Sequence, residues 1–304
     1  MIFKRDNPGS PCCSCCPCYK LDGNGNASSS SANLAAKSGG PDYSAVCKKL
    51  GTHGANFKSG QGYLEGNDSC FSPRSNPNGW AMSFWVKPNS NIGVVTCTTS
   101  VPEWKPGLIT KGYWNHAVDS SACTSPSAPT ATTHGEWFIV LQRATTGSPV
   151  QMVAYAVTAN TITPSAWSFL GVGGIILDTR TSTFGTHRSE WNFVYWYTRA
   201  GHSWLHIRGE TESSWNQYYQ NLNAYGGFKN EDVPLRVGTM IAGSDEYRIG
   251  TNGGDYCVDN LTFDNNPTTF GSTSPPITSP PTIPNEATKL YNSGNGKACP
   301  NVGR

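Results

Sequence analysis

Charge is scarce in this 304-residue chain: Asp, Glu, Lys and Arg make up 14% of it, against about a quarter in an ordinary globular protein. No Lys/Arg block exceeds two in a row and the formal net charge is +2. A phosphate-neutralising basic stripe is therefore missing, and nucleic acid is not an expected partner. Long apolar runs are missing too. Nothing approaches the roughly 18 residues needed to cross a bilayer, so no membrane span is expected. At the start, Lys4 and Arg5 are followed by Asp6, Asn7 and Pro8 where an export signal would need an apolar stretch. The expectation is a protein of the extracellular space or a virion surface that travels without a Sec signal. Phosphate-binding and dinucleotide glycine fingerprints and G-x-S-x-G are lacking, which removes those reaction classes.

What the chain does have is Gly, Ser, Thr and Asn in quantity, and aromatics at 11% including ten Trp. Such a composition suits strands and polar loops rather than helical bundles. Eleven cysteines is an odd number, and five of them fall between Cys12 and Cys18. Zinc, inter-chain disulfides, lipidation and incidental thiols all fit that cluster, and spacing does not choose among them. From Leu21 to Gly40 the chain offers almost nothing to bury, so residues 1–40 read as a flexible, Cys-rich arm.

Beyond that arm the pattern changes. In Trp80–Lys87, the residues Trp80, Met82, Phe84 and Val86 share one face while Ala81, Ser83, Trp85 and Lys87 take the other. Period two over eight residues is a half-buried strand, and Pro88 ends it. Further strands are expected at 107–111, 136–142, 150–157, 174–178, 191–198, 203–208, 235–238 and 256–263. With so many strands and no helical period between them, two antiparallel sheets packed face to face over residues 41–265 are the economical architecture. Residues 266–284 form a Pro/Ser/Thr-rich linker or insert. Residues 285–304 hold one short helix, N-capped by Asn285 and stopped by Gly294, with a tail that packs on the sandwich.

The order of segments resembles a known family. GANFKSGQGYLEG at 54–66, WAMSFWVKP at 80–88 and GLITKG at 107–112 are similar to the opening strands of laminin G-like jelly-roll domains of the concanavalin A-like superfamily. EWFIVLQ, EWNFVYWYT and SWLHIRGE resemble the middle strands, and PLRVGT with GDYCVDNLTF, which carries Asp259, the closing pair. EATKLYNSGNG at 286–296 resembles the helix and turn that follow the last strand in many bacterial and phage members. The resemblance implies an all-β jelly-roll sandwich. It also implies a calcium ion at the sandwich rim, for which Asp245, Glu246 and Asp255 flank a Gly-rich loop.

The superfamily includes glucanases, so acid pairs matter. The nearest is Glu210 with Glu212, without a third acid and at a strand end, which reads as a solvated turn; no catalytic residue is assigned. His202 and His206 are four apart, but a strand separates such residues by about 13 Å, too far to share a metal. Sugar recognition needs flat rings beside planar amides. Trp104, Trp114, Trp215, Asn216, Tyr218 and Tyr219 supply them in stretches that read as loops, although rings capping the sandwich ends would look the same. The expected function is non-catalytic, lectin-like binding of glycans or host cell-surface polysaccharide. The alternative is a structural or receptor-binding component of a virion or cell-surface assembly, such as a phage tail or decoration protein, with self-association or virion proteins as partners. A glycoside hydrolase ranks third.

Overall fold

The computed structural model describes residues 18–26, 33–58, 61–74, 79–88, 107–113, 134–142, 151–159, 167–176, 190–210, 216–223, 226–229, 231–242, 245–248 and 256–264. The first strands are β1 (Cys18–Tyr19), β2 (Ala35–Lys37), β3 (Asp42–Ser44), β4 (Gly54–Phe57), β5 (Tyr63–Gly66) and β6 (Trp80–Pro88). Then come β7 (Gly107–Tyr113), β8 (His134–Gln142), β9 (Gln151–Ala159), β10 (Trp167–Ile176), β11 (Asn192–Arg199) and β12 (His202–Gly209). The last are β13 (Asn216–Asn221), β14 (Leu235–Val237), β15 (Thr239–Ala242), β16 (Asp245–Arg248) and β17 (Tyr256–Asp264).

These strands form a β-sandwich. The first sheet runs β13-β12-β11-β6-β17-β4-β3, with β1 also on β17. The second runs β10-β9-β8-β7-β14-β5-β2, with the β15–β16 hairpin attached to β7. Pairing is antiparallel except for one parallel bridge, Ile241 to Tyr113. The inner faces meet along the alternation expected from sequence. Trp80, Met82, Phe84 and Val86 of β6 join Val194, Trp196, Leu205 and Ile207 against Ile109, Trp137, Ile139, Met152 and Ala154 of the opposite sheet. At the centre Trp80, Trp137 and Trp196 are all buried and touch one another at ring separations of 5.6–5.8 Å.

Those indoles also hold a loop in place. Trp80 Nε1 donates to the Cys70 carbonyl at 2.8 Å and Trp137 Nε1 to that of Phe71 at 2.9 Å. A buried indole N–H needs an acceptor, and the single 3₁₀ turn Ser69–Phe71 supplies both. Asp68 caps that turn through its carboxylate, which accepts the Cys70 N–H. The segment from 67 to 74 is therefore tied to both sheets at one end of the sandwich.

Three expectations change. The sandwich starts earlier than residue 41: β1 and β2 lie in its sheets, and Tyr19, Leu21 and Leu34 are buried in the core. The few apolar residues of that stretch are enough because pairing with β17 and β5 satisfies the backbone around them. Next, β6 is buried on both faces, not one. Ala81 and Trp85 join Phe193, Tyr195, Tyr197, Trp204, Cys47 and Cys257 in a second cluster on the outer side of the first sheet. Finally, Asp245 and Glu246, expected beside a Gly-rich loop, lie in the β15–β16 hairpin. The linker at 266–284, the helix at 285–304 and the Cys12–Cys16 part of the cysteine cluster lie outside the described residues.

The second cluster settles part of the cysteine chemistry. Cys47 and Cys257 are disulfide-bonded, 210 residues apart in sequence and 5.0 Å apart at Cα. Beside them Asp259 accepts the N–H groups of Lys49 and Leu50, both at 2.8 Å, so the aspartate of the closing strand anchors the loop that carries Cys47. Burial pushes the Asp259 carboxyl up to about 8, against the pull of its backbone N–H donors.

Candidate functional site

The segment 67–74 and the stretch 222–233 wall two neighbouring cavities at one end of the sandwich. Their charges are opposite in sign.

The first cavity, of about 360 Å³, is lined by Asp68, Ser72, Lys111, Glu136, Glu231 and Asp232 among others. Glu136 reaches it through a β-bulge. Lys111 pairs with Trp137 and Gly112 with Gly135, so Glu136 is the extra residue of β8 and its side chain is re-aimed. Its carboxylate meets Lys111 Nζ at 3.1 Å, accepts the Ser72 hydroxyl at 2.5 Å and the Glu231 N–H at 3.2 Å. Lys111 Nζ donates further to the carbonyls of Glu231 and Val233, at 3.2 and 2.9 Å. Burial pushes the Glu136 carboxyl up, and the Lys111 charge pulls it back. The other acids are also engaged: Glu231 with Lys229, Asp232 with the Asn67 amide at 2.6 Å, and Asp68 with the 3₁₀ turn. With Glu136 at 0% exposure, this network ties strands to loops.

The second cavity, of about 400 Å³, is lined by Pro73, Arg74, Thr198, Arg199, Asn223 and Phe228, with the turn glycines between them. It sits where β11 turns into β12. Arg199 and His202 flank Ala200 and Gly201, whose φ values of +49° and +75° give the two-residue turn that suits the strand twist. A Cβ on Gly201 would collide with the Asn223 side chain, which donates from Nδ2 to the Ala200 carbonyl at 3.0 Å. Leu222 N–H donates to the Gly201 carbonyl at 2.7 Å, closing the wall.

An aromatic platform follows this turn on β12 and β13, beginning at His202. Trp204 of β12 lies opposite Tyr219 of β13, with ring centroids 5.5 Å apart. The His202 ring stacks on Tyr219 at 14° between planes, and His202 Nδ1 and the Tyr219 hydroxyl are hydrogen-bonded at 2.6 Å. Tyr197 stacks on the far side of Trp204 at 5.2 Å. Because β13 ends the sheet order, Tyr218 and Tyr219 stay open to solvent, at 37% and 40%.

Of the residues singled out from sequence, Tyr218 and Tyr219 are thus exposed aromatics as expected, but on a strand rather than a loop. Asn216 begins the same strand, while Trp104, Trp114 and Trp215 lie outside the described residues. Asp245 and Glu246 belong to β16 instead of a loop, and Asp255 is outside the described residues. Glu210 is exposed at the end of β12 and pairs with Lys49 at 2.5 Å. His206 shares β12 with His202 but is buried beside Tyr195, and desolvation lowers its pKa to about 4, which keeps it neutral. Among the described residues no group of acids, cysteines and histidines could hold a metal ion. Sequence reading missed Arg74, Arg199, Asn223 and His202 as site residues. The R-A-G-H turn between two strands was a usable signal for two of these positions, Arg199 and His202; nothing in sequence marks Asn223 or Arg74.

No protein-family model matches this chain, and no curated protein does. Among solved structures it is similar to the binding domain of botulinum neurotoxin DC in complex with SialylT, at 10% identity and a TM-score of 0.47, over 82% of this chain and 47% of that one. The same binding domain in complex with rat synaptotagmin II is matched at 11% identity and a TM-score of 0.43, over 77% and 44%. The enzymatically active domain of bacteriophage CBA120 tailspike protein 2 is matched at 8% identity and a TM-score of 0.40, over 73% and 26%. The chain spans less than half the length of each of these proteins.

Proposed function

We propose that this chain is a non-catalytic carbohydrate-binding protein of a cell or virion surface, holding a glycan at the rim beside β13. One observation carries the reading: the Tyr219 ring is 40% exposed, yet its orientation is set by stacking on His202 and Trp204 and by the 2.6 Å bond of its hydroxyl. A flat, fixed, half-open ring suits the C–H face of a sugar, and it costs little ordering entropy on binding. The second cavity offers Asn223 and Arg74 for hydroxyl and acidic groups. Catalysis is left out of the reading because Glu136, Glu231, Asp232 and Glu210 all hold partners within the fold.

Polysaccharide pull-down and a glycan array, each with and without calcium, test the proposal. Binding is expected, and Tyr219→Ala should weaken it by about 1–2 kcal/mol, near the worth of an aromatic stacking contact. A protein that retains no glycan under either condition, or that releases reducing ends from a bound polysaccharide, would overturn it.

A further inference from the structure

Several cations of the described residues are held in ion pairs. Lys37 and Arg236 meet Glu65, Lys49 meets Glu210, Lys58 meets Asp42, Lys111 meets Glu136 and Lys229 meets Glu231. The two cations of the second cavity have no acid beside them among the described lining residues. Arg199 hydrogen-bonds the hydroxyl of Tyr197, and Arg74 has no ion pair among the described residues. Among the described residues no carboxylate lines the cavity they share. The acids that line the neighbouring cavity are already engaged there.

The walls around these guanidinium groups are fixed in advance. Arg74 follows directly on the segment that the Trp80 and Trp137 indoles hold, and a Cβ on Gly227 would stand 3.2 Å from Arg74 Nη1, which places the guanidinium against that glycine. Arg199 enters the turn that Asn223 and Leu222 brace. At about 400 Å³ the space admits a sugar ring or its acidic substituent.

We infer that this cavity takes the carboxylate of an acidic sugar, so that the glycan at the Tyr219 platform is a carboxylated one; the inference rests on the glycan-binding reading above. A guanidinium presents parallel N–H donors that match the two oxygens of a carboxylate. Filling the cavity with a neutral sugar would instead strip water from two cations without supplying a counter-charge. Arg74 is the principal contact. Arg199, half-buried and already bonded to Tyr197, adds charge and orientation.

The test uses the full chain against polygalacturonate, alginate and polysialic acid, each beside its carboxyl-reduced form, with dextran sulfate and dextran as controls. At least one carboxylated polymer should bind, and its reduced form should bind about tenfold more weakly or worse, the worth of one charge-assisted hydrogen-bond pair. Arg74→Gln should lower affinity for the carboxylated form by about tenfold and affinity for the reduced form by much less. Arg74→Lys should recover part of it, since the charge returns without the fork. Equal binding of carboxylated and reduced forms, weakened by Tyr219→Ala but untouched by Arg74→Gln, overturns the inference and leaves glycan binding standing. Dextran sulfate bound as tightly as the best carboxylated polymer, with no effect of Arg74→Gln, also overturns it, because the attraction is then to polyanions in general. Binding to none of these polymers overturns both readings. Arg74 is exposed, so its variants are expected to fold, and an unchanged melting temperature verifies that.

Discussion

Two cavities share a wall at one end of this sandwich, and they differ in what their charges are for. In the acidic cavity every charged group is tied to another: Glu136 to Lys111, Ser72 and the Glu231 backbone, Glu231 to Lys229, Asp232 to Asn67. In the arginine cavity Arg74 and Arg199 face a space to which the described residues bring no carboxylate. Buried charge with a complete set of partners holds strands and loops in register. Charge left unanswered in a concave, rigid place is available to something that comes from outside.

The contrast breaks most visibly at Lys111. Lys111→Met leaves Glu136 buried without its cation and should cost about 3–5 kcal/mol at neutral pH, measured by urea unfolding. The sign of its pH dependence follows from the direction of the Glu136 shift. Burial raises that group's folded pKa above its unfolded value, so the stability it contributes is present below the ordinary carboxylate range and is lost as pH rises through the folded value. Removing Lys111 takes away the leading downward pull and raises the folded value further. The variant's deficit should therefore shrink towards pH 4 and grow towards pH 7. A deficit that is constant with pH would mean that the pair is not what links these strands.

Smaller effects sharpen the comparison. Gly201→Ala puts a side chain at positive φ and against Asn223, for about 1–2 kcal/mol of stability, and it should weaken ligand binding by distorting the arginine cavity's wall. Ser72→Ala removes a donor from the buried Glu136 carboxylate and should cost about 1 kcal/mol, with ligand affinity unchanged. Arg74→Gln should change stability by no more than about 0.5 kcal/mol. Thermal unfolding of these three variants side by side checks the ranking. If Arg74→Gln destabilised the fold as much as Ser72→Ala does, the arginine would be a structural group and the two cavities would not differ in kind.

Much of the fold was legible because its signal is local. Alternation along Trp80–Val86 identifies β6, and the aromatic alternation from 191 to 198 identifies β11 with an error of one residue at each end. Where the apolar signal thins, the reading fell short. The three- and two-residue strands β2 and β1 have no period long enough to register, and Asn216–Asn221 reads as a polar loop because an edge strand can leave its side chains to solvent. The strand at Trp167–Ile176 was placed too late, since its Gly-rich centre carries a register shift between Gly171 and Gly173 that interrupts the alternation. The outer aromatics Phe193 and Tyr195 are buried in the second cluster, where the loop that carries Cys47 meets them from a distant part of the chain.

The candidate site was legible only in part. Tyr218 and Tyr219 could be picked as exposed rings from their polar neighbours. Arg74 and Arg199, 125 residues apart by number, carry no shared signal along the chain. What the sequence by itself determined is the strand content, the inner face of the sandwich and the absence of a basic stripe, because each follows from residues next to one another. Which charges are matched and which are idle was decided by tertiary structure. Glu136 finds Ser72 across 64 residues and Lys111 finds the Val233 carbonyl across 122, and electrostatic energy depends on distance in space, to which distance along a folded chain is no guide.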